Sequence, residues 1–176
     1  MKVLVTGANG FIGRALCAHL TARGEDVVAA ARTLDRAQGV SCARVVAVGD
    51  VGPRTIWRPA LEGVEAVVHT AALAHARASE ARVFAVNVAS TRALAEAAAQ
   101  AGARRFVFLS SVKVHGETTE GRAPFCESDP LAPDPSDTYA RAKADAETAL
   151  ADVAAARKLA VVVLRPPLVY GAGARA

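Results

Sequence analysis

Residues 2–13 read KVLVTGANGFIG, a short apolar run that leads directly into a glycine-rich turn and then into a helical pattern. Gly7 permits a tight turn, Gly10 lets the backbone approach a pyrophosphate, and Gly13 allows a helix to pack closely on a strand. The N-terminus of the following helix offers unpaired N–H groups and a partial positive charge to phosphates. We therefore expect a dinucleotide to bind at this turn, against Gly7, Asn9, Gly10, Phe11, Ile12 and Gly13.

The rest of the chain alternates short runs rich in β-branched residues with longer alanine-rich segments. Most of the short runs are apolar almost throughout, which is typical of strands buried on both faces of a parallel sheet. With right-handed crossovers they predict an α/β fold with a doubly wound parallel sheet, organised as one domain over residues 1–176. The predicted strands are Lys2–Thr6, Asp26–Ala31, Arg44–Val48, Ala66–Thr70, Arg105–Ser110 and Leu159–Leu164. The predicted helices are Phe11–Arg23, Glu80–Ala101 and Thr138–Arg157.

The segment Thr118–Asp137 interrupts this alternation, because it contains four prolines and no hydrophobic periodicity. A loop of about 20 residues inside a compact domain usually has a function. We expect it to form a lid or part of a binding wall.

The composition excludes several other classes of protein. Hydrophobic residues make up 52% of the chain and charged residues 22%, which excludes a disordered protein. The net charge of +4 is scattered and only 5% of the residues are aromatic, so we expect no nucleic-acid partner. No apolar run reaches the ~18 residues of a membrane span, and the N-terminus does not resemble a secretion signal. We expect no membrane partner.

Histidine and cysteine residues show neither the spacing of a metal site nor that of a disulfide framework. The three cysteines are odd in number, and we interpret them as reduced thiols of a cytoplasmic protein. No bound metal is expected. The residues concerned are His19, His69, His75, His115, Cys17, Cys42 and Cys126.

The end of the second predicted strand bears on which dinucleotide binds. An acidic residue there would bind both ribose hydroxyls and repel a 2′-phosphate, but the stretch reads VVAAAR and ends at Arg32. An arginine can face a phosphate bidentately or stack beside adenine. This favours NADP over NAD, although an exposed arginine flanking a strand is the plainer alternative.

Seven short motifs occur along essentially the whole chain in a fixed order. They are TGANGFIG at 6–13, DV at 50–51, HTAA at 69–72, NV at 87–88, LSS at 109–111, YARAK at 139–143 and RPPLVYG at 165–171. In this order they resemble the extended short-chain dehydrogenases/reductases, the family of NAD-dependent epimerases and dehydratases. The resemblance implies a Rossmann fold, a nicotinamide dinucleotide and an oxidoreductase or epimerase acting on a secondary alcohol or ketone.

The resemblance assigns further residues to the cofactor. Asp50 and Val51 resemble the pair that meets the adenine ring, and Ala71 and Ala72 resemble the backbone wall beside the pyrophosphate and ribose. Asn87 resembles a buried structural or cofactor-side asparagine. The full set implied to contact the cofactor is Asp50, Val51, Ala71, Ala72, Leu73, Asn87, Tyr139, Lys143 and Pro166.

The catalytic residues implied by the resemblance are Ser111, Tyr139 and Lys143, and the chemistry supports them. Hydride transfer at an alcohol carbon requires a proton to leave or join the oxygen. A free tyrosine has a pKa of about 10, too high for a ready base. We expect Lys143, one helical turn away, and the charge of an oxidised nicotinamide to lower the pKa of Tyr139, while Ser111 hydrogen-bonds the reacting oxygen.

Departures from the family pattern narrow the range of expected reactions and substrates. Dehydratases of the family carry Asp-Glu after the catalytic Ser/Thr, and this chain has Val112 and Lys113, which disfavours dehydration. Leu168 stands where nucleotide-sugar relatives often have asparagine. The run SVKVHGE at 111–117 nevertheless resembles UDP-glucose 4-epimerases and 4-keto-sugar reductases, so a UDP-sugar is one candidate substrate.

The chain stops shortly after the last motif, where family members continue into a C-terminal substrate domain. We therefore expect the chain to be a fragment of a longer two-part enzyme and to be catalytically silent on its own. We also expect it to have an uncovered apolar face and to form a homodimer or a larger associated state. The alternative function is that of a dinucleotide-binding module without turnover.

Overall fold

The structure, a computed structural model, describes residues 1–74, 78–121, 123–171 and 173. Within that part of the chain six parallel strands form one sheet in the order β3-β2-β1-β4-β5-β6. The elements are β1 (Lys2–Thr6), α1 (Phe11–Ala22), β2 (Asp26–Ala31), β3 (Arg44–Ala47), α2 (Arg58–Leu61), β4 (Ala66–His69), α3 (Glu80–Phe84), α4 (Ser90–Gln100), β5 (Arg105–Leu109), α5 (Thr138–Ala156) and β6 (Ala160–Leu164). The predicted doubly wound parallel sheet is confirmed.

Each observed strand begins and ends within one residue of its prediction, and α1 and α5 each end one residue early. The sequence prediction missed the one-turn helix α2 and two 3₁₀ turns, Asp35–Ala37 and Val112–His115. These elements span only one turn, too short to show a helical period. The described residues of Thr118–Asp137 form no helix or strand, as predicted.

The predicted helix Glu80–Ala101 differs from the structure, because a π-helical turn, Ala85–Ala89, separates α3 from α4. Ser90 Oγ donates to Val86 O, and Thr91 Oγ1 donates to Asn87 O at 2.8 Å. Short π-helical turns inside α-helices occur frequently at functional sites. Here the turn carries Asn87, which is buried and contacts the segment that follows β4.

Alternate residues of the strands pack against helices on opposite faces of the sheet. Val3 and Val5 of β1 pack with Cys17 of α1 on one face. Leu4, between them, faces the larger cluster that includes Leu94 of α4 and Leu150 of α5. The central strands are therefore buried on both faces, which explains why their sequences are apolar without alternation.

Strand β6 lies at the edge of the sheet and is covered on one face only. Val161 and Val163 pack against the core, whereas Val162 and Leu164 are 41% and 48% exposed. Their half-buried neighbours on β5 extend this apolar surface, which no described helix covers.

The direction of strand order reverses between β1 and β4. The chain leaves β1 toward α1 and leaves β4 toward α3, so a crevice opens beyond the carboxyl ends of these two strands. In doubly wound sheets ligands bind at this crevice. The fold thus positions the glycine-rich turn, residues 7–13, beside residues 70–74.

We expect the 176-residue chain to self-associate through the open face of β6. Replacing Val162 and Leu164 together by threonine should shift the chain toward monomer in sedimentation velocity without lowering its melting temperature.

Val163→Thr is the matched control, because it changes the covered face of the same strand. It should lower the free energy of unfolding by about 1–3 kcal/mol, as expected for burying a hydroxyl without a partner. A chain that is monomeric before any substitution would contradict this prediction.

Candidate active site

The glycine-rich turn leaves no room for side chains. Gly7 has a φ of +65°, and a Cβ there would lie 2.8 Å from the backbone nitrogen of Ala71. A Cβ at Gly13 would lie 2.1 Å from Gly7 O. The Gly10 N–H donates to Gly7 O at 2.9 Å and closes the turn. Backbone thus lies directly against backbone at Gly7 and Gly13, while Gly10 exposes its backbone at the surface.

Helix α1 presents its N-terminal N–H groups to this surface. No side chain caps the helix at Gly10, and its first turn contains no acidic residue. Asn9 accepts a hydrogen bond from Arg14 through its backbone oxygen, and Phe11 and Ile12 are half-buried at the start of the helix. The positive end of the helix dipole therefore stays available to an anion.

The carboxyl ends of β2 and β3 bring Arg32 and Asp50 together. Arg32 Nε lies 2.8 Å from Asp50 Oδ1, and both side chains are mostly exposed. Val51, the next residue, is half-buried and packs against the larger core cluster. Arg32 and Asp50, two of the residues predicted to contact the adenosine half of a cofactor, thus form an ion pair with each other.

The segment after β4 is held by the π-helical turn. The backbone N–H of Leu73 donates to Asn87 Oδ1 at 2.8 Å, and Asn87 Nδ2 donates back to Leu73 O at 3.1 Å. The side chain of Asn87 thereby fixes the backbone of the predicted wall, in which Ala71, Ala72 and Leu73 are half-buried.

Helix α5 carries Tyr139 and Lys143 one turn apart. Asp137 caps this helix, because its Oδ1 accepts from the N–H of Ala140 at 3.0 Å. Lys143 Nζ donates to Leu109 O at 2.6 Å and lies 4.5 Å from the centroid of Phe108 and 5.7 Å from that of Tyr139. Burial lowers the pKa of Lys143 to about 8, against the opposing charge of Glu147.

The turn after β5 is bound to the start of α5. Ser111 precedes the 3₁₀ turn Val112–His115, and its Oγ accepts from the N–H of Lys113 at 3.3 Å. Lys113 Nζ lies 2.8 Å from Asp137 Oδ2 and 2.9 Å from Glu117 Oε1. The ion pair between Lys113 and Asp137 therefore joins the segment of Ser111 to the helix of Tyr139.

The charged side chains that shift the pKa of Tyr139 are Asp137 and Lys113, not the Lys143 that the sequence predicts. Burial raises the pKa of Tyr139, Asp137 raises it further, and Lys113 lowers it. Lys143, expected to be the cation that lowers it, instead directs its ammonium group to Leu109 O. In this structure burial and Asp137 outweigh Lys113, so the phenol is protonated at neutral pH.

An ion pair between the half-buried Arg165 and the buried Glu147 lies near the predicted catalytic residues. Arg165 donates to the carboxylate of Glu147 from both Nε and Nη2, and Nη2 lies 2.7 Å from Oε2. Ser110 Oγ donates to the same carboxylate. Arg165 Nη1 also donates to His115 Nε2 at 3.1 Å and to Glu127 O at 2.9 Å. The network ties β6 and α5 to the proline-rich loop.

A cleft of about 630 Å³ opens at the carboxyl ends of β5 and β6. The turn after β5, the loop and the start of the RPPLVYG segment line it, and the lining includes Val112, His115, Phe125, Cys126, Arg165 and Pro166. Pro166 O accepts from the N–H of Val112 at 3.0 Å. The proline-rich loop therefore forms one wall of this cleft.

Several of these residues were missed by sequence reasoning. Lys113 and Asp137 are 24 positions apart, with the proline-rich loop between them, so no local pattern connects them. Glu147 shares a helix face with Tyr139 and Lys143, which was the one available signal.

No three His, Cys, Asp or Glu residues in the described ranges lie close enough together to hold a metal ion. His75, considered above for metal spacing, lies outside the described residues. Across the same ranges, every helix is too short or too polar to cross a membrane.

A parallel sheet in this order, with a close-packed glycine turn at the point where the order reverses, defines the class of Rossmann folds. The model of the NAD dependent epimerase/dehydratase family matches residues 3–176. The chain belongs to that family.

Known proteins of this kind are similar over nearly the whole chain. A UDP-glucose 4-epimerase of Vibrio cholerae is 35% identical over 99% of this chain and 54% of its own length. Sterol demethylase protein B of Methylococcus capsulatus is 38% identical over 97% of this chain and 52% of its own. The solved structure of MoeE5 with UDP-glucuronic acid and NAD matches with a TM-score of 0.80 and 32% identity, over 94% of this chain and 54% of that one. The chain thus spans about half the length of the relatives it matches.

The charge pair beside Tyr139 should shift its ionisation in opposite directions. Lys113→Gln leaves Asp137 unpaired and should raise the pKa of Tyr139, whereas Asp137→Asn should lower it and still cap α5. The measurement is a titration of tyrosinate absorbance in a Tyr170→Phe background, since the chain has only two tyrosines.

Glu117→Gln is the control, because it removes the other carboxylate bound to Lys113. It should leave the midpoint nearly unchanged. Shifts of the same sign for Lys113→Gln and Asp137→Asn would refute the assignment of charges.

Proposed function

We propose that this chain binds a nicotinamide dinucleotide, and that in the whole protein Tyr139 exchanges a proton with the oxygen of a secondary alcohol or ketone during hydride transfer. The observation that carries the proposal is the assembly around α5. Tyr139 and Lys143 lie one turn apart on this helix, and Ser111 is tied to its first turn through Lys113 and Asp137.

The residues present fit a dinucleotide. The glycine turn is closely packed at Gly7 and Gly13 and exposes its backbone at Gly10, where the uncapped N-terminus of α1 begins. Lys143 hydrogen-bonds only Leu109 O among the described residues, so two of its three N–H donors remain for ribose hydroxyls. The cofactor, when bound, supplies the hydride acceptor or donor.

The protein groups then divide the remaining tasks. The protonated phenol of Tyr139 suits the reduction of a ketone, in which it gives its proton to the carbonyl oxygen as that oxygen gains charge. In the reverse direction the alcohol proton passes to the tyrosinate. We expect Ser111 to hydrogen-bond the same oxygen, and Lys143 keeps a positive charge near the site at neutral pH.

We further propose that the substrate is a nucleotide sugar, handled as by a 4-epimerase or a 4-keto-sugar reductase. Relatives named for UDP-sugars support this, and so does the run 111–117. The cleft between the proline-rich loop and β6 has the volume of an ordinary small-molecule site, which runs from about 300 to 1,000 Å³.

Replacing the phenol tests the proposed reaction. In the whole protein, Tyr139→Phe should lower turnover by about 10²–10⁴-fold, because it removes general acid–base catalysis and leaves the binding surfaces intact. Turnover is measured by nicotinamide absorbance with UDP-hexoses and simple ketones as substrates.

NAD affinity, measured by calorimetry on the same variant, should stay within a few-fold of the unmodified protein. Lys143→Ala is the comparison, since it should weaken both NAD binding and turnover. Normal turnover by Tyr139→Phe would refute the assignment.

Within this function we propose that Arg32 favours NADP. Its partner Asp50 is exposed, and exposed ion pairs contribute only about 0–1 kcal/mol. A 2′-phosphate can therefore compete for the guanidinium, which binds phosphates bidentately. The carboxylate of Asp50 nevertheless repels that phosphate, so the two residues act in opposition.

Two substitutions separate these effects. Arg32→Ala should weaken NADP binding by about tenfold and leave NAD nearly unchanged, while Asp50→Asn should strengthen NADP because it frees Arg32 and removes the repulsion. Calorimetric titration of both cofactors gives the ratio. Equal affinities in the unmodified chain, unaltered in both variants, would contradict this preference.

A further inference from the structure

A chain of buried hydrogen bonds runs beneath the two walls of the crevice. Thr6, His69, Thr91 and Asn87 are each at most 1% exposed. Thr6 Oγ1 lies 2.6 Å from His69 Nδ1, and His69 Nε2 lies 3.0 Å from Thr91 Oγ1. Thr6 is the last residue of β1 and leads into the glycine turn, and Asn87 hydrogen-bonds the backbone of Leu73. The chain of hydrogen bonds therefore connects the glycine turn, which is one wall of the crevice, to residues 71–73, which form the other.

The donor and acceptor of each of these hydrogen bonds can be assigned, starting from the carbonyl oxygen of Asn87 at one end. Thr91 Oγ1 donates to Asn87 O, and a carbonyl can only accept. The hydroxyl proton of Thr91 is therefore committed, and its oxygen must accept from His69. Nε2 of His69 thus carries the hydrogen, and Nδ1 accepts from the hydroxyl of Thr6, whose oxygen in turn receives the N–H of Ala71 at 3.4 Å.

The ring of His69 is fixed in a single neutral form. It lies 5.9 Å from the centroids of both Phe106 and Phe108, nearly parallel to the latter. Burial and, to a smaller extent, the positive charge of Lys143 together lower the pKa of His69 to about 3. A neutral imidazole with one donor and one acceptor satisfies both threonines, whereas a protonated ring would leave Thr6 without its acceptor.

The two walls of the crevice, the glycine turn and residues 70–73, are in direct contact with each other. A Cβ on Gly7 would lie 2.8 Å from the backbone nitrogen of Ala71 and 2.9 Å from Thr70 Oγ1. Thr70 Oγ1 also donates to Thr6 O at 2.7 Å. A small displacement of residues 70–73 would therefore move the glycine turn.

We propose that His69 is a positioning residue for the dinucleotide, holding the glycine turn and residues 71–73 at a fixed separation through Thr6 and Thr91. The inference rests on the proposed dinucleotide site. His69 itself acts from beneath that site, and its effect reaches the ligand through backbone alone. The crevice is thereby formed before a ligand enters, which reduces the ordering that binding requires.

Three variants test this in the 176-residue chain. Thr91→Val keeps the shape of the side chain and removes its hydroxyl, so it should weaken NAD binding by about tenfold. Thr91→Ser keeps the hydroxyl and should bind NAD as the unmodified chain does. Ser90→Ala is the matched control, since Ser90 is equally buried on the same helix but bonds only to Val86 O.

Two measurements distinguish positioning from general stability. Hydrogen exchange at the amide of Leu73, which is bound to Asn87, should speed up in Thr91→Val and not in Ser90→Ala. Nitrogen-15 spectra of the unmodified chain should show His69 protonated at Nε2 only, with no titration between pH 5 and pH 8. The spectra need no variant, so they test the hydrogen-bond chain even where Thr91→Val does not fold.

The outcomes separate the two levels of the proposal. If the unmodified chain binds no NAD or NADP, the proposed function fails and this role fails with it. If it binds NAD but Thr91→Val binds equally well, or loses melting temperature and affinity in step with Ser90→Ala, only the positioning role is overturned. A His69 ring that titrates near pH 6.5 or carries its hydrogen on Nδ1 would also overturn it.

Discussion

The contact between Gly7 and Ala71 constrains the rest of this molecule. Two parallel strands that lead to helices on opposite faces of a sheet leave a crevice between them, and here its walls meet backbone to backbone at less than the width of one methyl group. Side chains are excluded from the contact between Gly7 and Ala71, so the polar side chains that hold it in place lie underneath. Buried polar groups need partners, and Thr6, His69 and Thr91 supply them to one another.

The other end of the crevice is organised by charge. Helix α5 buries Lys143 and Glu147 one turn apart, and buried charges are costly unless they are paired or hydrogen-bonded. Glu147 has Arg165 as a bidentate partner, and Arg165 also holds the backbone of the proline-rich loop. One ion pair thus fixes the helix of Tyr139 and Lys143, the last strand of the sheet, and one wall of the adjoining cleft.

The fold was predictable because central strands covered on both faces must be apolar along their whole length, and the glycine turn marks where the first of them ends. The π-helical turn at Asn87 was not predictable, because one extra residue in a helix does not alter an alanine-rich pattern visibly. The sequence prediction for Tyr139 named Lys143 and an oxidised nicotinamide, and it missed Asp137 and Lys113, the charged side chains that shift the pKa of Tyr139 in this structure, for a related reason. Spacing on a helix showed Lys143 near Tyr139, but not that Leu109 O would hold its ammonium group or that Lys113 would arrive from another segment.

The hydrogen-bond partner of Lys143, the backbone oxygen of Leu109, bears on the role of this lysine. A carboxylate in the place of the Leu109 carbonyl would have stabilised the buried ammonium group of Lys143 more strongly, through both its charge and its hydrogen bond. It would also have neutralised the charge and raised the pKa of Lys143. A backbone carbonyl accepts one hydrogen, leaves Glu147 as the opposing charge and leaves two donors without a partner among the described residues. Burial lowers the pKa of Lys143 only to about 8, so the group is still a cation at neutral pH. A fold that needed only stability would favour an apolar side chain here. The arrangement is therefore better explained by a ligand that takes up the two free N–H groups.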